Sequence, residues 1–548
     1  MRGRIGRRHF LAAGALGASV RPAQESCRPS ADRKFELGEP YDVPAKRIFF
    51  TDWRWVRPGE FDWRDGSGKR LKSAGPREAF YRSVDVPLGI RLVAKPARRV
   101  GPLMRPERPW EERAGVRLTT VIQERGIFRG WSHTSHGSGD PLERFGCYYE
   151  SQDGLNWSRP KLGVWEFNGS RSNNIVMADL YAGSVFVDPS APASERYKLV
   201  SFSGVDRATG EAYRQKRPEA WEPVWSTYGG KPDQLVCIRG GVSPDGIRWT
   251  ILPEPLVVEH SDTQVVAYYD LHLCRYVMYT RRRRVGARSP RAPAGGSESW
   301  RRSSRRSIGR SESADFRHFP LSEIIMDPGA DLPPYSVFYT NCRTNLPGMP
   351  DHHLMFPAVW DVRDDTMSIA LASSEDGKVW HLVPGSPVLH TGSFGEWDGG
   401  CVFSQPNLLE LPDGSFALPY MGYNVPHKYP RDRFNFAPGY AIWPKGRLVA
   451  LEANDRGEFA TVGLMPPGRK LRINAVTRRA GVILVEVAGL NGKPLPGRSF
   501  HDARPMFGDL YWEELSWGGS ADLGFPEHAA IILRFRLEKA ELYGLEFV

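Results

Sequence analysis

The feature that most constrains this chain is a seven-residue pattern, Ser151-x-Asp153-Gly154-x-x-Trp157. It returns as Ser243-x-Asp245-Gly246-x-x-Trp249 and Ser374-x-Asp376-Gly377-x-x-Trp380, with a degraded copy at Ser313-x-Asp315-Phe316-x-x-Phe319. Asp-Gly after a strand end makes a tight turn, and the aromatic that follows is an anchor. The copies begin 92, 70 and 61 residues apart. That spacing fits four-stranded units of roughly 45 to 50 residues with inserted loops, and so the blades of a propeller. Five blades suit the length better than seven. Helical periodicities are scarce against 17 Trp, 20 Tyr, 26 Phe, 56 Gly and 45 Pro, which makes the expected fold class all-β. A chain of 548 residues exceeds one ordinary core, so a smaller second module is expected.

The net charge of +11 is local. Residues 281–310 carry +10 and residues 1–22 carry +5, which leaves −4 for everything else. Nucleic acid is therefore not an expected partner. Residues 281–306 read as an Arg-, Ser-, Pro- and Gly-rich solvated insertion between two strands, and polyanionic glycan or cell-envelope polymer is the functional alternative. Residues 1–23 pair Arg7-Arg8-x-Phe10-Leu11 with a short apolar run. They resemble a twin-arginine signal, from which export to periplasm or medium is expected. No segment reaches membrane-spanning length. Six scattered cysteines lack the C-x-x-C spacing of a zinc or redox site.

The expected organisation follows: residues 24–45 as a lead-in, 46–465 as the five-bladed propeller, and 468–548 as a small C-terminal β-sandwich after Pro466-Pro467-Gly468. Arg47 to Trp53 is the candidate strand that completes the last blade. Inner strands are expected near Val116, Gly183, Asp262, Asp351 and Trp397. In a propeller these converge on one axial funnel, so polar residues at their starts are the candidate site.

The stretches SQDGLNWSRPKLG, GVSPDGIRW, IGRSESADFRHF, DHHLMFPAVW, EWDGG and YMGYNVPHKYP resemble those of exported five-bladed propeller glycosidases of families 32 and 43. The tail, VILVEVAGLNGKPLPGRSF through IILRFRLEKAELYGLEFV, resembles the sandwich appended to family 32 enzymes. The resemblance implies a glycoside hydrolase acting on an oligo- or polysaccharide. It also allows a structural divalent cation at the axis beside His353; no cofactor is otherwise implied. The family 32 nucleophile motif W-x-N-D-P-N-G and its E-C acid motif are absent, and R-D-P is approached only by Val187-Asp188-Pro189.

Glycoside hydrolysis needs two carboxyl groups across the bond, one protonated and one ionised. The expected set is Asp262 and Asp398 as base and orienting carboxylate, with Glu111 as the acid. The missing retaining motif favours inversion. His353, His427, Arg310, Trp131, Trp397 and Asp188 are the expected substrate contacts. For each of these the ordinary alternative is a turn acid, an arginine partner, a hydrogen-bonded histidine or a core tryptophan. Two other functions remain open: a non-catalytic carbohydrate-binding propeller, and a glycoside phosphorylase, which would set basic residues for phosphate beside a single acid.

Overall fold

The computed structural model describes residues 38–58, 65–67, 69, 71, 85–111, 114–135, 144–178, 183–222, 233–286, 289–291, 304–430 and 433–548. The expected signal at 1–23 and most of the Arg-rich insertion lie outside the described residues. The chain is nearly all β, and the described residues hold one α-helix, Arg207–Lys216. None of their helices is long and apolar enough to cross a membrane.

The repeated turns form as their chemistry dictates. In each, the serine hydroxyl accepts from the glycine N–H at 2.9 Å: Gly154 to Ser151, Gly246 to Ser243, Gly377 to Ser374. The aspartate carboxylate accepts from the next two amides, as Asp153 does from Leu155 and Asn156. The glycines sit at φ +77°, +77° and +69°, where a side chain would be strained. The turns also lock neighbouring sheets. Trp131 donates its indole N–H to the Gly246 carbonyl at 2.8 Å, and the Tyr279 hydroxyl donates to that of Gly377 at 2.7 Å.

Three sheets are plain antiparallel meanders over 117–178, 184–251 and 266–326. The fourth, over 336–390, consists of two four-stranded pieces. Its break falls at Pro357, which has no N–H to give a ladder. Bonds from Tyr339 to Ala358, Phe356 to Cys342 and Ala370 to Pro357 carry the sheet across the break. The fifth takes Cys401–Ser404, Phe416–Tyr423 and Phe436–Trp443, with Arg98–Val100 as its outer strand. Inner strands of the first three sheets lie side by side, Arg305–Ser313 of the third lies against Ser336–Phe338 of the fourth, Thr366–Ile369 of the fourth against Cys401–Ser404 of the fifth, and the fifth sheet against Arg117–Glu124 of the first. Gln264 ties the middle together: its amide donates to the Ser404 carbonyl at 2.9 Å and accepts from the Cys342 N–H at 2.5 Å.

Three expectations are corrected. Arg47–Phe49 does not complete the last of these sheets; it pairs with Ile531–Phe547, Arg47 opposite Glu546. Its apolar residues Ile48, Phe49 and Phe50 are buried in the main core, whereas the strand that joins the fifth sheet, Arg98–Val100, carries the exposed arginines of an edge. The inner strand of the fourth sheet is Ser336–Phe338 continued by Arg343–Leu346, and Asp351 to Trp360 falls on the second strand. Finally, Arg281 to Arg284 and Arg305 to Arg306 are not insertion but paired strand, Arg284 opposite Arg305.

An eight-stranded sheet holds the C-terminal part, built on Leu471–Gly489 against Ile531–Phe547. It also takes in Val449–Ala460, which lies before the 466–468 linker, and Tyr41–Asp42, Arg47–Phe49 and Arg91–Ala94 from the N-terminal side. This sheet shares one apolar core with the fourth and fifth sheets. Phe49 sits between Phe416 and Trp512, at 5.6 and 5.9 Å.

Candidate functional site

A cavity of about 410 Å³ opens where the sheets meet, and every one of the five contributes to it: Arg117 to Thr119 and His133, Gly183, Asp262 to Gln264 and Arg306, Tyr339 and Thr340, then Phe403, Gln405, Met421, Tyr423, His427, Lys428 and Phe434. One wall is aromatic. Tyr339 packs on Phe403 at 5.2 Å and edge-on to His427 at 4.7 Å, and Tyr423 lies 4.5 Å from Phe434. The His427 Nε2 and the Tyr339 hydroxyl are 2.7 Å apart. The loop that carries His427 is pinned by the Lys428 N–H, which donates to Asp365 at 2.6 Å.

The cavity is also charged, with Asp262 as the one carboxylate lining it among the described residues. Asp262 sits in the loop before Val266–Asp270. Arg281 holds that loop: its N–H donates to the Ser261 hydroxyl at 2.9 Å and its Nη2 to the His260 carbonyl at 2.9 Å. Its Nη1 lies 2.6 Å from Asp262 Oδ1. Burial pushes the Asp262 carboxyl up, but Arg281, His260 and Arg306 more than reverse this and hold it well below the usual carboxylate range. The side chain keeps 39% of its surface open, against 4% for Arg281 behind it. The result is an anion backed by a buried cation and open in front. Arg117 lies over the Phe436 ring at 4.1 Å and Arg306 over Tyr339 at 4.2 Å.

Of the expected site residues, Asp262 and His427 line this cavity. The others are placed elsewhere, each with a structural partner. Glu111 is buried and accepts from the Glu107 and Arg108 N–H groups, the Tyr149 hydroxyl and Arg159. Asp398 is buried between the Tyr420 hydroxyl at 2.7 Å and Arg99 at 3.1 Å. Asp188 accepts from Tyr276 at 2.7 Å and Ser190 at 2.7 Å, with Lys198 at 3.8 Å. Arg310 pairs with Glu312 and faces the Tyr279 ring. Trp131 is wholly buried. Trp397 stacks on Tyr420 at 5.5 Å, and its ring edges press on Gly101, Gly422 and Gly439.

His353 is buried on the second strand of the fourth sheet, 2.5 Å from Arg343 Nη2 and against Tyr268. A ring nitrogen that accepts from a guanidinium has no lone pair left for a cation. Among the described residues no three His, Cys, Asp or Glu side chains are grouped to hold a metal ion. The residues here do not fit an axial divalent cation at His353.

The sequence reading missed the cations and the aromatic wall. Arg306 and Tyr423 come from strands behind the inner ones, and Lys428 and Phe434 from a connection; the rule of looking at inner-strand starts passes over all four. Chemically, the cavity offers several aromatic rings at steep mutual angles, one ionised carboxylate that can accept hydrogen bonds, and several cations. It offers no protonated carboxyl among the described residues.

No family model and no curated protein matches the chain. Among solved structures it is similar to one titled "Glycoside hydrolase" (13% identity, 64% of this chain and 92% of that one, TM-score 0.40). It is also similar to a Bombyx mori GH32 β-fructofuranosidase (10%, 82% and 95%, TM-score 0.35) and to an N-acetylgalactosamine deacetylase from F. plautii (12%, 64% and 95%, TM-score 0.39). No role is carried across at such scores.

Proposed function

We propose that this chain is a carbohydrate-active protein of the glycosidase type, in which the five sheets over 98–443 form a five-bladed propeller and the eight-stranded sheet belongs to an appended sandwich. The observation that carries the reading is the cavity at the meeting of all five sheets, lined by several aromatic rings and by one ionised, partly exposed carboxylate. A sugar ring has an apolar face that stacks on aromatics and hydroxyls that bond to charged groups. Asp262 is the orienting carboxylate in this reading: it stays ionised near neutral pH and accepts hydrogen bonds from sugar hydroxyls, while the proton donor that a hydrolysis needs is not among the described lining residues. Export through the 1–23 segment would place the protein where polysaccharide is met.

One observation favours a second reading. Arg117, Arg306 and Lys428 on one cavity would also suit a glycoside phosphorylase, with the cations holding phosphate as the attacking group and the proton donor again not among the described lining residues.

The deciding experiment screens chromogenic glycosides and a glycan panel against the full chain and Asp262→Asn, with and without phosphate. Turnover that falls at least 100-fold in Asp262→Asn supports the site. Dependence on phosphate selects the phosphorylase. Glycan binding with no turnover would leave a binding protein, and turnover indifferent to Asp262→Asn would remove the assignment.

A further inference from the structure

Two glutamines line the cavity, and the protein treats them in opposite ways. Gln264 is buried and uses both ends of its amide on neighbouring sheets, donating to the Ser404 carbonyl at 2.9 Å and accepting from the Cys342 N–H at 2.5 Å. Gln405 directly follows the inner strand Cys401–Ser404 of the fifth sheet. Its backbone is tied down: the N–H donates to the Pro419 carbonyl at 2.8 Å, and the carbonyl accepts from the Cys342 thiol at 3.0 Å. Its side-chain amide, in contrast, is half-buried, reaches the cavity and makes no hydrogen bond with a described residue.

Phe403 and Gln405 both line the cavity, whereas the Ser404 hydroxyl between them bonds the Phe356 carbonyl at 2.5 Å. An apolar ring and an open amide are thus carried side by side on one fixed stretch of backbone. The amide presents an acceptor and two donors in one plane. Two adjacent hydroxyls of a sugar ring meet both ends of such a group, one hydroxyl donating to its carbonyl and the next accepting from its NH2. A sugar carboxylate would use only the NH2 end and would set its other oxygen against the amide carbonyl. Asp262, on the same cavity, is ionised and can only accept, so the two side chains ask different things of a ligand.

We propose that Gln405 is a specificity-determining residue, which binds two adjacent hydroxyls of an uncharged sugar ring in this cavity while Asp262 accepts from a further hydroxyl. The inference rests on the glycan reading of the cavity and narrows its substrate class to neutral sugars with a vicinal diol. A site that bonds a particular hydroxyl rejects the analogue that lacks it, because the protein group is then left without its partner.

The test titrates the full chain with the methyl glycosides of glucose, galactose, mannose, xylose, arabinofuranose and glucuronic acid. The tightest of them and its monodeoxy analogues are then titrated into wild type, Gln405→Met and Gln405→Leu. Methionine keeps the length of the side chain without the amide, and unfolding midpoints decide which of the two variants is used. The expected result is a neutral glycoside bound about 10-fold more weakly by the variant. Removing either of two adjacent hydroxyls should cost wild type a similar factor and the variant almost nothing, a coupling that a merely structural role for Gln405 would not produce. Affinity unmoved by the substitution, or deoxy analogues that lose equally in both proteins, overturns the role of Gln405 and leaves the glycan reading standing. The glucuronide binding as tightly as the best neutral glycoside overturns the uncharged class. Failure of every glycoside to bind overturns both readings together.

Discussion

Glu111 is the residue on which sequence and structure part most sharply, and Glu111→Gln separates them. The carboxylate has no exposed surface, and its partner Arg159 keeps 7%. One oxygen accepts from the Glu107 and Arg108 N–H groups at 2.7 and 3.0 Å. The other accepts from Arg159 Nε at 2.7 Å and the Tyr149 hydroxyl at 3.0 Å. A glutamine of the same shape must aim its NH2 at one of these donor pairs. The charge is lost whichever way it turns, together with both amide bonds if the NH2 faces them, or with the Arg159 bond if it faces that side, where the Tyr149 hydroxyl can turn and accept. Removing one partner of a buried pair costs about 3–5 kcal/mol. Arg159 retains Glu107 at 3.1 Å and the Arg105 carbonyl at 2.7 Å, so the low end, about 3 kcal/mol, is expected. Equilibrium urea unfolding gives the stability, and glycan titration of the folded fraction gives the function. An unchanged unfolding midpoint together with abolished turnover would show Glu111 to be a proton donor and refute the structural role.

Three further outcomes are expected. Gly246→Ala should destabilise by about 2–4 kcal/mol, from a strained backbone plus a Cβ placed 2.8 Å from the Trp131 ring; Gly169→Ala, at the same φ of +77° with open space around it, should cost only about 1 kcal/mol by thermal unfolding. Asp398→Asn should lower stability by about 2–3 kcal/mol while leaving glycan affinity unchanged, because the carboxylate serves Tyr420 and Arg99 rather than the cavity; a matching loss of affinity would contradict this. Burial and Arg343 push His353 down to about 3, so the folded protein excludes a proton that the unfolded chain binds below about pH 6.5. Its contribution is complete above that pH and drains away as pH falls toward 3, by at most about 1.4 kcal/mol per pH unit; the difference in unfolding free energy between wild type and His353→Gln, followed from pH 7 to 4, measures it.

The parts of the fold that were legible were those set by local chemistry. Ser, Asp and Gly at fixed offsets dictate the turn whatever surrounds it, and so the Ser243 and Ser374 turns follow directly from sequence. What failed depended on distant partners. Arg98-Arg99-Val100 is short and charged and does not look like a strand until Phe436–Trp443 offers it an edge. The inner strand of the fourth sheet is split and polar, Asn341-Cys342-Arg343-Thr344, and the richer apolar run Leu354 to Trp360 drew the assignment one strand outward. That single displacement carried His353 from the expected axis to a place behind Tyr268. The cations of the cavity were hidden for another reason: Arg306 sat in a run whose composition suggested solvated loop, although its ends are strand.

Four acids of the expected site have a cationic neighbour, and what distinguishes them is access. Glu111 and Asp188 have no exposed side-chain surface and Asp398 has 1%, each closed in by protein donors, whereas Asp262 keeps 39%. A carboxylate enclosed on every side can stabilise a fold but cannot exchange a proton with a bound molecule. Asp262 meets its cation from behind, where Arg281 is buried, and so remains an anion with an open face.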